Sequence, residues 1–333
     1  MRYGVIGLGA VGSMIGGFLT DTLKKDVLLI GKPYQVDIIQ KKGIEIAGLN
    51  KKIKNIQVTS DFSEIKNLDV IFLCVKSQDT ETVANQMKKY LKKTALIVSL
   101  QNGVRNRETI HKITGKTVLA GVVLFNAVYQ EPGKVNLTIK GGILLENNGE
   151  IAERISNVLN RAGIKTILVD NINGFLWSKL ILNLQIAVTA LTGQTIKESI
   201  TNEDSRNIII ETMREGIKTV EKSGIHLKKL PGADPKKTIK RLERYNSLTL
   251  KIGSIFIGVK KDARNSMWQS LSRRRPTEID YINGEIVNLA KKNNLKAPIN
   301  MKLVELVKQV EKKPEFKNIK PIELKKFLGL TKQ

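Results

Sequence analysis

Along residues 1–170, apolar residues come in short continuous runs, separated by stretches in which they recur every three or four positions. "RYGVIG", "DVLLIG", "LDVIFLCVK", "TALIVSLQNG" and "IKTILVD" are the runs. Near-continuous apolar runs of this length predict strands covered on both faces, as in a parallel sheet. "AVGSMIGGFLTD", "TETVANQMKKYLKK" and "EIAERISNVLNRAG" carry helical spacing between them. In "TVLAGVVLFNAVYQEPGKVNLTIKGGILLENNG", Pro132-Gly133 marks a turn between β-like runs. The alternation predicts an α/β, Rossmann-type doubly wound sheet over residues 1–170. Beyond Asp170 the β-like runs nearly vanish. Helical spacing then covers 174–191, 203–223, 235–251, 277–293 and 299–312, which predicts an all-helical C-terminal domain over 171–333. The tail after Lys312 is basic and reads as partly mobile.

With 333 residues, the chain can bury two sizeable cores. No apolar run is read as reaching the ~20 residues of a membrane span. The N-terminus enters an apolar run and a glycine loop directly, without the pattern of a signal peptide, so a cytoplasmic protein is expected. The single cysteine, Cys74, excludes an intrachain disulfide and cysteine-rich metal sites. His111 and His226 have no ligand-like spacing, and no metal is expected. Lys+Arg number 56 against 31 Asp+Glu, a formal charge of +25, which raises nucleic acid as a partner. The lysines are spread along the chain, however, and the densest run is Arg273–Pro276. No basic stretch is interleaved with aromatics for stacking bases. The charge therefore reads as a solvated surface that attracts anionic ligands. Neither a specific nucleic acid nor a membrane is expected as partner. A non-catalytic NADP-sensing or nucleic-acid-binding protein is the alternative class that the charge motivates. A homodimer is compatible with the sequence, which does not fix the oligomeric state.

Chemistry enters at Gly7-Leu8-Gly9-Ala10-Val11-Gly12, a GxGxxG that follows a strand and opens a helix. Gly7 permits a tight turn, Gly9 lets a pyrophosphate approach the backbone, and Gly12 lets the helix pack closely. The second strand ends in Gly31-Lys32 with no acid for a ribose hydroxyl, and Asp26 lies at its other end. A lysine there can pair with a 2′-phosphate, which favours NADP(H) over NAD. Lys76 and Asn102 each follow a buried strand, where α/β sheets bind ligands.

The segment "GFLWSKLILNLQIAVTALTG", 174–193, is apolar on all sides apart from a few polar positions. On a helix with Ser178 at 0°, Gln185 and Thr189 fall within about 20° of it, and Lys179 and Asn183 at about 100° and 140°. An ammonium in an apolar helix is costly unless something holds it. Snorkelling to solvent and a functional role both remain open for Lys179 on this segment alone. Downstream, Thr277-Glu278-Ile279-Asp280 reads as a helix start, with Thr277 as cap and Asp280 as its capping-box acid. Glu278 then lies in the first helical turn, where the macrodipole favours an acid.

The glycine loop, the "VK" strand end, "QNG", "LWSKL…N…TALTG" and "SM…RPTEIDYING", in this order and spacing, resemble the ketopantoate reductase (2-dehydropantoate 2-reductase) family over nearly the whole chain. The resemblance implies NADPH-dependent reduction of ketopantoate to pantoate, a step of pantothenate and coenzyme A biosynthesis. It implies Lys179 as proton donor and substrate contact. Asn102, Asn183 and Ser266 are implied to hold the substrate. Gly7 to Gly12 would hold the pyrophosphate, and Lys32 stands where the family usually has an arginine. Lys76, Asn102 and Ala127 would line the nicotinamide side, and Glu278 would bond the cofactor ribose or the reacting groups. The family commonly carries a second asparagine where Ala187 stands and often an acid where Ser270 stands. Ketopantoate is thus the leading substrate, with another branched 2-oxo acid as alternative.

Overall fold

The computed structural model describes residues 1–244 and 264–331. The chain divides into two compact units, Met1–Ile172 and Asn173–Gln333. The first unit begins β1 (Tyr3–Ile6), α1 (Ala10–Leu23), β2 (Val27–Ile30), α2 (Pro33–Lys42), β3 (Ile44–Ala47), β4 (Lys51–Ile53) and β5 (Gln57–Thr59). It continues β6 (Val70–Leu73), α3 (Thr80–Lys88), β7 (Leu96–Ser99), α4 (Asn106–Thr114) and β8 (Val118–Val123). It closes with β9 (Asn126–Glu131), β10 (Lys134–Ile139), β11 (Ile143–Glu146), α5 (Glu150–Arg161) and β12 (Thr166–Val169).

Eight strands form the main sheet, in the order β12-β11-β8-β7-β6-β1-β2-β5. Every neighbouring pair is parallel except β8–β11. β1, β2, β6 and β7 are buried at every position, as their unbroken apolar runs require. Side chains alternate between two cores. Val5, Leu29, Phe72 and Val98 meet Ile15 of α1 and Ile155 of α5. Ile6, Leu28, Ile71 and Ile97 meet Met87 of α3 and Ile110 of α4. This is the doubly wound Rossmann-type architecture expected. From β1 the chain moves outward through β2 to β5, then returns to β6 on the other side of β1. The crossovers part at that reversal and leave a crevice at the carboxyl ends of the strands.

A second sheet, β4-β3-β10-β9, is a feature the hydrophobic pattern did not announce. β4 and β5 have three residues and one buried side chain each, too little for a period to show. β9 and β10 form the hairpin expected around Pro132-Gly133, with Gly133 at φ +74°.

The described part of the second unit is helical: α6 (Ile172–Asn183), α7 (Gln185–Thr192), α8 (Ile196–Thr201), α9 (Glu203–Lys222) and α10 (Pro235–Arg244). α11 (Ser266–Ser272), α12 (Asn283–Lys292), α13 (Pro298–Glu311) and α14 (Pro321–Leu328) complete it. Of the helix expected over 235–251, the part beyond Arg244 lies outside the described residues. Ile172–Thr192 has the length and hydropathy of a membrane span, contrary to the expectation from the sequence, but 67% of that window is buried inside the protein. A helix apolar on all sides that is buried in this way serves as core. The basic tail is also more ordered than expected. Leu324 and Leu328 of α14 are buried, Lys325 pairs with Asp204 of α9 at 2.8 Å, and Ile319 N–H donates to Leu191 O at 2.9 Å.

Glu215 of α9 closes the start of α13. Its carboxylate accepts from Ile299 N–H at 2.9 Å, and from Asn300 N–H and Nδ2 at 2.8 Å each. The two backbone N–H groups are orphan donors of a helix N-terminus, so Glu215 acts as a cap supplied from another helix. Glu215→Ala is expected to cost about 1–2 kcal/mol, the scale of a lost cap. Thermal unfolding should show a Tm lowered by about 3–8 °C, while Glu215→Gln retains most of the stability.

Candidate functional site

In the first unit the glycine loop joins β1 to α1. Gly7 has φ +95°, and a Cβ there would lie 2.7 Å from the Val75 nitrogen. A Cβ on Gly12 would overlap the Gly7 carbonyl oxygen, so α1 can start this close to the loop only with glycine there. Gly9 is different: a Cβ there would meet nothing within 4 Å. The space beside it is open, and the first turn of α1 carries no acid. The loop therefore fits a pyrophosphate, received by backbone N–H groups and the positive end of the helix. Leu8 is buried and Ala10 and Val11 half-buried, so these three would serve the loop through the main chain.

Lys32 follows β2 and is exposed, while Asp26 lies in a 3-10 turn before β2, at the far end of the strand. Lys76 follows β6 and Asn102 follows β7, both exposed. A buried polar network behind them escaped the sequence reading. Ser77 Oγ and Asn106 Nδ2 both donate to Asn102 O at 2.5 Å. Asn106 Nδ2 also donates to Ser77 Oγ at 3.1 Å, and Gln101 Nε2 to Thr80 Oγ1 at 2.7 Å. The network fixes the main chain of Asn102 and leaves its side chain in solvent. Ala127 is half-buried on β9, in the second sheet.

In the second unit the lysine segment carries one irregularity, at Leu184, whose dihedrals stay helical (φ −57°, ψ −28°). α6 ends at Asn183, and Leu184 N–H bonds Ile181 O at 3.2 Å, three residues back instead of four. Lys179 and Asn183 are half-buried, whereas Ala187, one turn further on, is fully buried. Ser178 and Thr189 of the other stripe are occupied separately: Ser178 Oγ accepts from Lys228 N–H at 3.0 Å, and Thr189 Oγ1 accepts from Asn265 Nδ2. Burial pushes the Lys179 ammonium down to about 8, and the Glu278 carboxylate opposes that shift.

Around Glu278 the capping box does not form. Thr277 N–H donates to Glu311 Oε1 at 2.8 Å, Asp280 pairs with Lys308 at 2.6 Å, and Thr277 Oγ1 accepts from Ile279 N–H at 3.3 Å. With these groups taken, residues 279–281 make a 3-10 turn and α12 starts at Asn283. Glu278 thus precedes a tight turn rather than lying inside a helix. Ser266 is the exposed first residue of α11. Asn265 holds it in place: its Oδ1 accepts from Trp268 N–H at 2.8 Å, and its Nδ2 donates to Ile186 O at 3.1 Å, which ties α11 to α7. The sequence offered only the generic signal of an asparagine before a helix.

A family model described as "Ketopantoate reductase PanE/ApbA" matches residues 3–150, and its C-terminal counterpart matches residues 171–311. The chain belongs to the ketopantoate reductase family. It is 33% identical over 319 residues to a 2-dehydropantoate 2-reductase of Pyrococcus horikoshii, covering 93% of this chain and 98% of that one. Among solved structures, a PanE/ApbA family ketopantoate reductase from Ralstonia eutropha superposes with a TM-score of 0.81 at 29% identity, covering 93% and 98% of the two chains. A D-mandelate dehydrogenase, solved with NADH and anilino(oxo)acetate, superposes with a TM-score of 0.79 at 25% identity and the same coverages. As a ketopantoate reductase family member the protein is an oxidoreductase acting on a small molecule.

The lowered pKa of Lys179 has a consequence for stability. The folded state disfavours the proton, so below about pH 8 the charged lysine destabilises the fold, and the penalty is relieved as pH rises from about 8 towards the unfolded value. Lys179→Met should raise the Tm at pH 7, and thermal melts should show that gain shrinking by pH 10.

Proposed function

We propose that this protein reduces 2-dehydropantoate to pantoate with NADPH, in the cytoplasm, as a step towards pantothenate and coenzyme A. The observation that carries the reading is Lys179, an ammonium held in an apolar helix with its pKa lowered to about 8 beside Glu278. A lysine so tuned is charged at neutral pH yet gives up its proton readily, which suits a general acid. NADPH, when bound, supplies the hydride that adds to the C2 carbonyl carbon. Lys179 stabilises the negative charge that builds on the carbonyl oxygen and passes a proton from Nζ to it, leaving a neutral amine that solvent reprotonates. Asn183 and Ser266, with Asn102, bond the carboxylate and hydroxyl of the substrate. Glu278 keeps the ammonium charged further up the pH scale than burial alone would allow, and bonds the cofactor ribose or the reacting groups.

On the cofactor side, the main chain from Gly7 to Gly12 receives the pyrophosphate. Lys32 pairs with the 2′-phosphate, and the absence of an acid at the end of β2 supports NADPH over NADH. Lys76, Asn102 and Ala127 line the nicotinamide.

A second reading, reduction of another branched 2-oxo acid, is favoured by Ala187, which offers no amide to the substrate. The D-mandelate dehydrogenase relative is named for a different acid and was solved with NADH. A panel of 2-oxo acids ranked by kcat/KM, followed through NADPH oxidation, separates the two. Ketopantoate is expected to lead; a rank about tenfold or more below another acid, the scale of a missing contact, overturns the first reading.

Lys179→Ala should lower kcat by about 10²–10⁴, the usual scale for a general acid, with NADPH affinity nearly kept. Full activity in that variant would remove Lys179 from the mechanism. In the unmodified enzyme kcat/KM should fall above about pH 8, because reduction needs the protonated lysine and that form is lost as pH rises through its pKa.

A further inference from the structure

Gln35 has no part in the roles above, yet it is 93% buried behind both phosphate-recognising features of the first unit, with 7% of its surface exposed. Its Nε2 donates to the Leu8 carbonyl at 2.9 Å, inside the glycine loop. Its Oε1 accepts from the Lys32 N–H at 3.1 Å, just past β2. Its second Nε2 proton goes to the Tyr129 hydroxyl on β9, at 3.2 Å. A buried amide with both kinds of atom in use is a spacer of fixed length. Leu8 O also accepts from Ser13 Oγ at 3.3 Å, so two donors turn this carbonyl into the protein.

The consequence follows from peptide geometry. In a trans peptide the C=O and the next N–H point in opposite directions. Drawing Leu8 O inward to Gln35 therefore directs the Gly9 N–H away from Gln35, at a residue that is exposed and where a Cβ would meet nothing within 4 Å. The same side chain holds the backbone of Lys32, whose side chain is exposed. The contact is also tight: a Cβ on Gly31 would lie 2.7 Å from Leu8 Cδ1 and 3.2 Å from Gln35 Oε1. The loop, the end of β2 and Gln35 thus form one packed body.

We infer that Gln35 is a positioning residue that couples the glycine loop to Lys32, fixing the spacing between pyrophosphate and 2′-phosphate recognition and thereby setting the preference for NADPH over NADH. The inference rests on the NADP(H) reading above. Lys32 alone would be a mobile ammonium on a flexible stem, a point charge with little geometric discrimination. Anchored through Gln35, its backbone stands at a set distance from the loop, so that a cofactor seated on Gly9 presents its 2′-phosphate where the ammonium can reach it.

The test is a double-mutant cycle on binding alone. Dissociation constants for NADPH and NADH are measured by fluorescence titration, without substrate, for the wild type, Lys32→Ala, Gln35→Met and the double variant. Lys32→Ala should weaken NADPH and leave NADH nearly unchanged. Gln35→Met removes three hydrogen bonds and should weaken NADPH by about tenfold, with a smaller loss for NADH. The double variant should lose less than the product of the single losses, by about threefold or more, because coupled residues are not additive. Losses that multiply, or a Gln35→Met protein with unchanged preference, overturn the inference alone. Equal affinity of the wild type for the two cofactors overturns the NADP(H) reading and the inference with it. Gln35→Asn keeps an amide in the pocket but is one methylene too short to span Leu8 and Lys32 together. It should show the same loss of coupling with a smaller effect on Tm, and full coupling in it would likewise overturn the inference.

Discussion

A half-buried lysine in an apolar helix, Lys179, is the costliest placement among the described residues of the helical unit. The ammonium of Lys179 loses much of its hydration where α6 packs into the core, and its lowered pKa records that cost. The Glu278 carboxylate, in "TEIDYING", opposes part of that shift. Contacts with a neighbouring helix hold that segment. Glu311 takes the Thr277 N–H, Lys308 takes Asp280, and Asn300 accepts from Asn283 at 2.9 Å. Each of these groups belongs to α13, which Glu215 of α9 caps in turn. The polar framework thus runs from α9 through α13 to the residues around Glu278.

The sheet unit meets a different constraint, the direction of main-chain groups. Gly7 and Gly12 have no room for a side chain, and Gly9 faces open space. These steric facts leave the loop able to offer its N–H groups to an anion. Side chains then choose which way the peptides point: Ser13 and Gln35 at Leu8, Ser77 and Asn106 at Asn102. Both sets are buried polar groups behind exposed loop residues, Gly9 and Asn102. Satisfied networks of this sort rigidify a site because leaving any member unpaired is costly.

Much of the sheet was legible because its strands are buried on both faces. β1, β2, β6 and β7 show as unbroken apolar runs, and the residues that follow them are the strand-end candidates. β3, β4 and β5 escaped notice because strands of three or four residues are too short for an alternation to stand out. The capping box at Thr277 was a reasonable local expectation that long-range partners overrode: Glu311 and Lys308 lie more than 25 residues downstream. The tail was misjudged from its lysines, since Leu324 and Leu328 bury beneath a helix whose Lys325 has an acidic partner on α9.

The sequence by itself determined the alternation of the first unit, the helical character of the second, the glycine loop and the family. These follow from periods and from short-range steric needs that neighbouring residues express. Only the tertiary structure decided that the lysine segment shifts its hydrogen bonding at Leu184, that Glu278 precedes a 3-10 turn, that Asn265 ties α11 to α7, and that Gln35 joins the Leu8 carbonyl to the Lys32 N–H. Those outcomes depend on partners distant in the chain. Asn265 meets α7 across 79 residues and Gln35 meets Tyr129 across 94, separations at which no local pattern carries information.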